Sequence, residues 1–194
     1  MRLVVASRNE HKVRELAGLL AGHEVVPLPD EVELPPETGE TFEANARVKA
    51  RVAADATDTA AVADDSGIEA AALGGRPGVR SARYAGERAT DDENLAKLLR
   101  EVPDDGDRRV AYVCALAFAE PGNDGELVFE GRCTGVLAHE PRGSGGFGYD
   151  PAFVPDDVGD GRTMAELEPA EKDAISHRGR AARRFGDWLK DGHE

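Results

Sequence analysis

Two adjacent carboxylates and a hydroxyl stand at Asp64-Asp65-Ser66, directly after the apolar run Ala60-Ala61-Val62-Ala63 and before Gly67. A strand ending in Asp-Asp-Ser-Gly would carry acidic groups to a sheet edge, where open α/β sheets place their ligand clefts. Neighbouring carboxylates there suit a divalent metal and an activated water. Side chains alternate along a strand, so Asp64 and Asp65 should point in opposite directions and only one can be the central catalytic group. Asp, Ser and Gly also build ordinary turns, so this segment takes its meaning from its companions.

Four other segments accompany it. Ser7-Arg8-Asn9-Glu10-His11-Lys12 links an apolar run to a helical pattern. A helix amino terminus offers unpaired N–H groups and a positive dipole end to phosphate. Ser7 or Asn9 can cap it, and Lys12 in the first turn can reach the same anion; a plain N-cap with a solvated Lys is the ordinary alternative. The glycines of a Walker loop are missing. In Glu37-Thr38-Gly39-Glu40-Thr41-Phe42-Glu43-Ala44-Asn45, Glu37 precedes a helix and could join Asp65 on a metal. Asn45 and Lys49, four apart, share one face of that helix.

Gly145-Gly146-Phe147-Gly148-Tyr149-Asp150-Pro151 sets glycines around two aromatics, so backbone can approach a flat ligand closely and a ring can stack on it. A glycine-rich turn with two core aromatics is its ordinary alternative. In Lys172-Asp173-Ala174-Ile175-Ser176-His177-Arg178, Ser176 is a good N-cap, which would put His177 and Arg178 at a positive helix end. Three of the five Lys in the chain (Lys12, Lys49 and Lys172) fall in or beside these segments. An acidic protein that binds a polyanion needs such a local cationic pocket.

The elements that must carry these residues alternate between strand and helix patterns. Arg2 to Ala6 reads as a buried strand, Glu10 to Leu20 as a helix, Val25 to Leu28 as a second strand and Thr41 to Ala54 as a second helix. One strand runs into Asp64 and another spans Ile68 to Ala72. Thr90-Asp91-Asp92-Glu93 has capping-box spacing and opens a helix through Leu99. Val110 to Phe118 alternates clearly, and Pro121 to Gly125 turns it into a hairpin strand, Leu127 to Arg132, with a further strand at Gly135 to Ala138. Ala182, Phe185, Trp188 and Leu189 give a last helix its apolar stripe. The whole, residues 1–194, reads as one mixed α/β domain.

Bulk properties exclude several classes. With 24 basic and 38 acidic residues the net charge is −14, the wrong sign for a nucleic-acid backbone as main partner. Acidity is dispersed and Lys is scarce, five against nineteen Arg, which points to adaptation to high salt. Cys114 and Cys133 sit in no CxxC or Cys/His cluster and read as reduced, buried small hydrophobes. Met1 to Val5 is too short for a signal peptide or a membrane span, so a cytoplasmic protein without membrane contact is expected.

The ordered set SRNEHK, ETGETFEANARVKA, ADDSGIEAAALGGRPGVRSARYAG, GGFGYDP and EKDAISHRG resembles the inosine triphosphate pyrophosphatase family. The resemblance runs from Val4 to about Trp188. It implies an elongated α/β fold with a mixed, twisted central sheet flanked by helices, and two lobes with the active-site cleft between them. It also implies a homodimer, dependence on Mg²⁺, and hydrolysis of non-standard purine nucleoside triphosphates (ITP, dITP, XTP) to monophosphate and pyrophosphate, which cleanses the nucleotide pool. Residue by residue, Ser7, Arg8, Asn9, Glu10, His11 and Lys12 match the triphosphate cradle. Asp65 matches the proton acceptor and metal ligand, Ser66 a substrate contact, Glu37 the loop carboxylate near the metal and Lys49 a phosphate-side Lys. Phe147, Gly148, Tyr149 and Asp150 match the base and sugar pocket; Lys172, His177 and Arg178 match the groups that read the purine's keto edge. Family members often carry a second acid just before the loop carboxylate, where this chain has Pro36.

Two rivals remain. A related pyrophosphatase acting on other modified nucleotides would differ in base preference, and the His177-Arg178 edge favours purines. A catalytically silent nucleotide-binding regulator would keep the cradle and lack the acid, and Asp65 is present.

Overall fold

A computed structural model describes residues 1–123 and 125–192. Strand β1 (Arg2–Val5) is followed by helix α1 (Glu10–Leu19), strand β2 (Glu24–Pro27), helix α2 (Phe42–Thr57) and the long strand β3 (Ala61–Ala70). Two 3₁₀ turns, Ala71–Leu73 and Gly78–Arg83, lead to α3 (Asp91–Glu101), β4 (Arg109–Ala119) and β5 (Leu127–Leu137). The short strand β6 (Phe153–Pro155) precedes helices α4 (Pro169–Ile175) and α5 (His177–Lys190). Among the described residues the strands form one sheet in the order β2-β1-β3-β4-β5-β6. β1 runs parallel to both β2 and β3, whereas β5 and β6 are antiparallel. The sheet is therefore mixed, as expected.

Local chemistry explains where the helices begin. Asn9 caps α1, with its side chain accepting from the amides of His11 and Lys12. Thr41 caps α2 by accepting from Ala44 N, and Thr90 with Glu93 closes a full capping box on α3. Each cap satisfies amide donors that the first helical turn leaves orphaned, stabilising by roughly 1 kcal/mol.

Two expectations about strands change. Asp-Asp-Ser-Gly lies inside β3 rather than at its end, because both carboxylates find buried partners and the strand continues past them. Gly67 allows this passage: a Cβ there would come within 2.3 Å of Ser81 Oγ and 2.6 Å of Gly78 O. Likewise Leu127 to Leu137 is one strand, not two. Gly135 in it faces Val154 O of β6, which a Cβ would approach to 2.2 Å.

The chain divides into two compact units. The first comprises residues 1–65, 114–131 and 178–194, and the second residues 66–113 and 132–177, so β3, β4 and β5 each contribute to both. The first unit's core gathers Leu3, Val5, Leu16, Val62, Leu116, Phe185 and Leu189, with Phe118 and Phe129 each in ring contact with the stacked pair Phe185 and Trp188. The second unit's core is built on Ile68, Leu95, Leu98, Leu137, Phe153 and Met164. Cys114 and Cys133 are both buried and are not joined in a disulfide.

Candidate active site

In the first unit, β3 delivers Asp64 and Asp65 into different sets of partners, as the alternation of a strand requires. Asp64 Oδ1 meets Lys12 Nζ at 2.5 Å, and its Oδ2 accepts from Arg178 Nε at 3.0 Å and from the Cys114 thiol at 3.2 Å. Arg178 Nη1 donates in turn to Glu15 Oε2 at 2.5 Å. Lys12 and Glu15, three apart on α1, thus address the same centre. Burial opposes the charge on Asp64, but Arg178, Lys12 and Lys49 outweigh it and hold its carboxyl well below the ordinary range. The same environment raises the Cys114 thiol far above its usual value, first by burial and then by the Asp64 charge, so it stays protonated and serves as a donor.

Asp65 is held differently. Its Oδ2 accepts from Asn45 Nδ2 at 2.9 Å, and its Oδ1 lies 3.5 Å from Lys49 Nζ. Lys49 also donates to Glu37 Oε1 at 2.6 Å and to the Asp64 carbonyl at 2.9 Å. Asn45 accepts from Gly39 N at 2.8 Å, which ties the 37–39 loop to α2; a Cβ on Gly39 would sit 2.6 Å from Asn45 Oδ1. Burial, with Glu37 adding to it, pushes the Asp65 carboxyl up against the pull of Lys49, Lys12 and the Asn45 amide. For Lys49, burial disfavours the charge, yet Asp65, Glu37 and Asp64 together raise its pKa. Asp65 is therefore the more basic of the two aspartates.

The cluster of Glu15, Glu37, Asp64 and Asp65 against Lys12, Lys49 and Arg178 carries four formal negative charges and three positive. Among the described residues no group of three or more His, Cys, Asp and Glu side chains could hold a metal ion. Two carboxylates sharing one ammonium, with an acid in excess, nonetheless fit a hard cation that keeps its waters and takes its other oxygens from a phosphate chain.

The segment from Ser7 to Lys12 divides its work. Ser7 Oγ accepts from Asn9 N at 3.1 Å, and Asn9 Oδ1 occupies the amides of His11 and Lys12. Those two donors face the helix's own cap, so the cationic offer of this segment is Lys12 Nζ; Glu10 and His11 are exposed. Arg8 fans its guanidinium onto the carbonyls of Leu28, Pro29, Asp30 and Val32 at 2.7–3.2 Å, which secures the loop after β2.

The second unit holds the other cluster. Asp150 accepts from Tyr112 OH at 3.0 Å, from Lys172 Nζ at 2.8 Å and from Phe147 N at 2.9 Å. Lys172 Nζ also lies 5.1 Å over the Phe147 ring, within cation–π range. Tyr112 stacks on His177 at 4.6 Å and on Phe153 at 4.4 Å. Gly148 N donates to Asp91 Oδ2, and Tyr149 OH to Ser81 O. Ser66 is half-buried in β3.

Of the residues expected at a base edge, Lys172 and His177 therefore gather around Asp150 and Tyr112. Arg178 does not join them: its guanidinium, 2% exposed, goes to Asp64 and Glu15 because those carboxylates supply the charge a buried guanidinium needs. Glu15, Cys114 and Tyr112 complete the two clusters without having been expected in them, and Asn45, noted only as sharing a helix face with Lys49, turns out to hold Asp65. The helical spacing of Glu15 to Lys12 and of Asn45 to Lys49 was the available signal; nothing local marked Tyr112.

Comparison with known proteins agrees with this arrangement. A model of the Ham1 family matches residues 3–188. The dITP/XTP pyrophosphatase of Mycobacterium tuberculosis is 52% identical over 191 residues, covering 93% of this chain and 91% of the relative. That of Shigella flexneri is 49% identical over 98% of this chain and 99% of the relative. Among solved structures, a HAM1 protein from Coxiella burnetii superposes with a TM-score of 0.89 at 43% identity, covering 99% of this chain and all of that one. A dITP/XTP pyrophosphatase from Mycobacterium abscessus gives 0.75 at 48% identity, over 95% and 98% of the two chains. With its mixed sheet, its paired aspartates and a match along almost its entire length, the chain belongs to the Ham1 family.

Proposed function

We propose that this protein hydrolyses non-standard purine nucleoside triphosphates (dITP, ITP and XTP) to the monophosphate and pyrophosphate, with Asp65 as general base. The observation that carries the reading is the contrast between the aspartates: Asp64 is ion-paired to Lys12 and Arg178, while Asp65, oriented by Asn45 and facing Lys49, is made more basic by burial and by Glu37. The names of the relatives supply the substrate class.

The first unit handles the phosphates. A water attacks the α-phosphorus; the new P–O bond forms as the bond to the bridging α,β-oxygen breaks, and the water's proton passes to the Asp65 carboxylate. Asn45 fixes that carboxylate's orientation, so the base is in place before substrate arrives. Lys12 and Lys49 offset the charge that builds on the departing pyrophosphate. Glu37 and Asp65 would hold Mg²⁺, which when bound neutralises phosphate oxygens and supplies an ordered water.

The second unit handles the base. Phe147 offers a ring to stack on it, and Lys172 and His177 offer donors to a 6-keto oxygen. Adenine presents an amino group there, and a donor facing a donor leaves both unpaired, which a buried polar site rejects strongly.

The same reading takes the protein as a cytoplasmic homodimer adapted to salt. Dispersed acidity and five Lys against nineteen Arg support the salt adaptation. Two buried cysteines outside any disulfide are at home in a reducing compartment. The dimer rests on the family likeness, and light scattering in molar KCl checks it. No helix among the described residues is long and apolar enough to cross a membrane.

Pyrophosphate release in molar KCl tests the function. ITP, XTP and dITP should turn over fast and ATP little, with activity lost to a chelator and restored by Mg²⁺. ATP turnover equal to that of ITP would refute the assignment.

A further inference from the structure

The loop that carries Phe147 is fastened by carboxylates on successive amides. Asp150 Oδ2 accepts from Phe147 N at 2.9 Å, and Asp91 Oδ2 accepts from Gly148 N at 2.8 Å. Asp150 is buried, 3% exposed, and holds Lys172 and Tyr112 as well, so that anchor is locked from several sides. Asp91 is exposed and reaches the loop from the first turn of α3, 57 residues away in sequence.

Between these anchors the backbone is forced. Gly146 and Gly148 have φ of +70° and +62°, in the left-handed region that favours glycine. A Cβ on Gly146 would come within 2.1 Å of Asp150 Oδ2. The Phe147 ring direction follows from the peptides on either side of it: the Asp150 carboxylate holds the first, while in the second Phe147 O accepts from Asp150 N at 3.2 Å and Gly148 N is held by Asp91. The face of α3 that bears Asp91 also fastens the segment before it. Asn94 accepts from Ala85 N at 2.7 Å and donates to Ala82 O, and Lys97 donates to Tyr84 O. The start of α3 does not depend on Asp91, because Thr90 and Glu93 form its capping box and Asp92 shares the first turn.

We infer that Asp91 is a positioning residue for recognition of the nucleobase: by holding Gly148 N it fixes the Phe147 ring beside Lys172. This rests on the reading of Phe147 as the base-stacking group. Asp91 touches no substrate; it acts through the loop. Its removal costs base affinity and spares the chemistry at phosphorus.

The test measures ITP turnover, with inhibition by inorganic pyrophosphate as a probe of the phosphate side, for Asp91→Ala, Asp91→Asn and Phe147→Leu. Losing one hydrogen bond and the ring order it imposes should raise KM for ITP in Asp91→Ala by about three- to tenfold. Its kcat should stay within about twofold, with pyrophosphate inhibition unchanged. Asp91→Asn keeps an acceptor oxygen but no charge, and should recover most of the loss; a mere helix-dipole role would not be rescued by it. An unchanged KM in Asp91→Ala, or equal loss of pyrophosphate inhibition, overturns the inference. Phe147→Leu separates the failures. If it raises KM and Asp91→Ala does not, the inference alone falls; if Phe147→Leu leaves KM unchanged, the base-stacking reading falls and the inference with it.

Discussion

Replacing each of the neighbouring aspartates by Asn should produce opposite phenotypes from adjacent positions. Asp64 is 1% exposed and carries two cations, one of them Arg178 at 2% exposure. An Asn there leaves a buried guanidinium short of a counter-ion, which typically costs about 3–5 kcal/mol. For a chain of this length each kcal/mol moves Tm by roughly 2–4 °C, so the midpoint should fall by about 6–20 °C. The sign with pH follows from the depressed carboxyl. Because Asp64 titrates lower folded than unfolded, its contribution is complete above an unfolded value of about 3.9 and is lost as pH falls below that. The stability gap between wild type and Asp64→Asn should therefore start to narrow below about pH 4 and keep shrinking as the pH falls towards the depressed folded value. Asp65→Asn should do the reverse. Its carboxyl is disfavoured by burial and by Glu37, so loss of the charge should change stability by no more than about 1 kcal/mol while turnover falls about 10²–10⁴-fold. Urea denaturation at pH 7 and at low pH, with pyrophosphate release on the same samples, reads both quantities. An Asp64→Asn protein as stable as wild type would refute the ion-network argument. An Asp65→Asn protein within tenfold of wild-type turnover would refute the choice of base.

Other perturbations probe separate parts of the molecule. Gly146→Ala places a Cβ against Asp150 at a φ of +70°, and should raise KM for ITP more than any change at Asp91, measured by initial rates. Glu15→Gln removes one carboxylate from buried Arg178 and should cost about 1–3 kcal/mol by urea titration, with Asp64 still holding the guanidinium. Phe185→Ala empties the centre of the first unit's aromatic cluster, where Phe185 is fully buried, and should cost about 3–5 kcal/mol by thermal melting.

What was legible in the sequence was mostly what is decided locally. Thr41 and Thr90 announce their helices because a cap depends on residues three positions away. The alternation from Val110 to Phe118 gave β4 to within a residue at each end. The motif-bearing loops could be named as carriers of chemistry, and the split of Asp64 from Asp65 follows from strand geometry alone. The choice of partners could not be read, since it depends on contacts far apart in the chain. Asp64 meets Arg178 across 114 residues, and Glu15 meets it across 163. Those charges let acidic residues sit inside β3, where local composition suggested a strand ending. Arg8 shows the same limit at shorter range: its place in an anion-binding pattern said nothing of carbonyls 20–24 residues on.

The division of the chain into two units also divides its chromophores. The sole tryptophan, Trp188, lies in the first unit against Phe118, Phe129 and Phe185, while all three tyrosines, Tyr84, Tyr112 and Tyr149, lie in the second. Indole fluorescence excited on the red edge therefore follows one unit, and near-ultraviolet tyrosine dichroism the other, with no label introduced. Superimposable denaturation curves would mean that strands β3, β4 and β5, which pass through both units, bind them into a single cooperative transition. Separated midpoints would mean that the unit carrying Asp64 and Asp65 can melt while the unit carrying Asp150 persists, or the reverse.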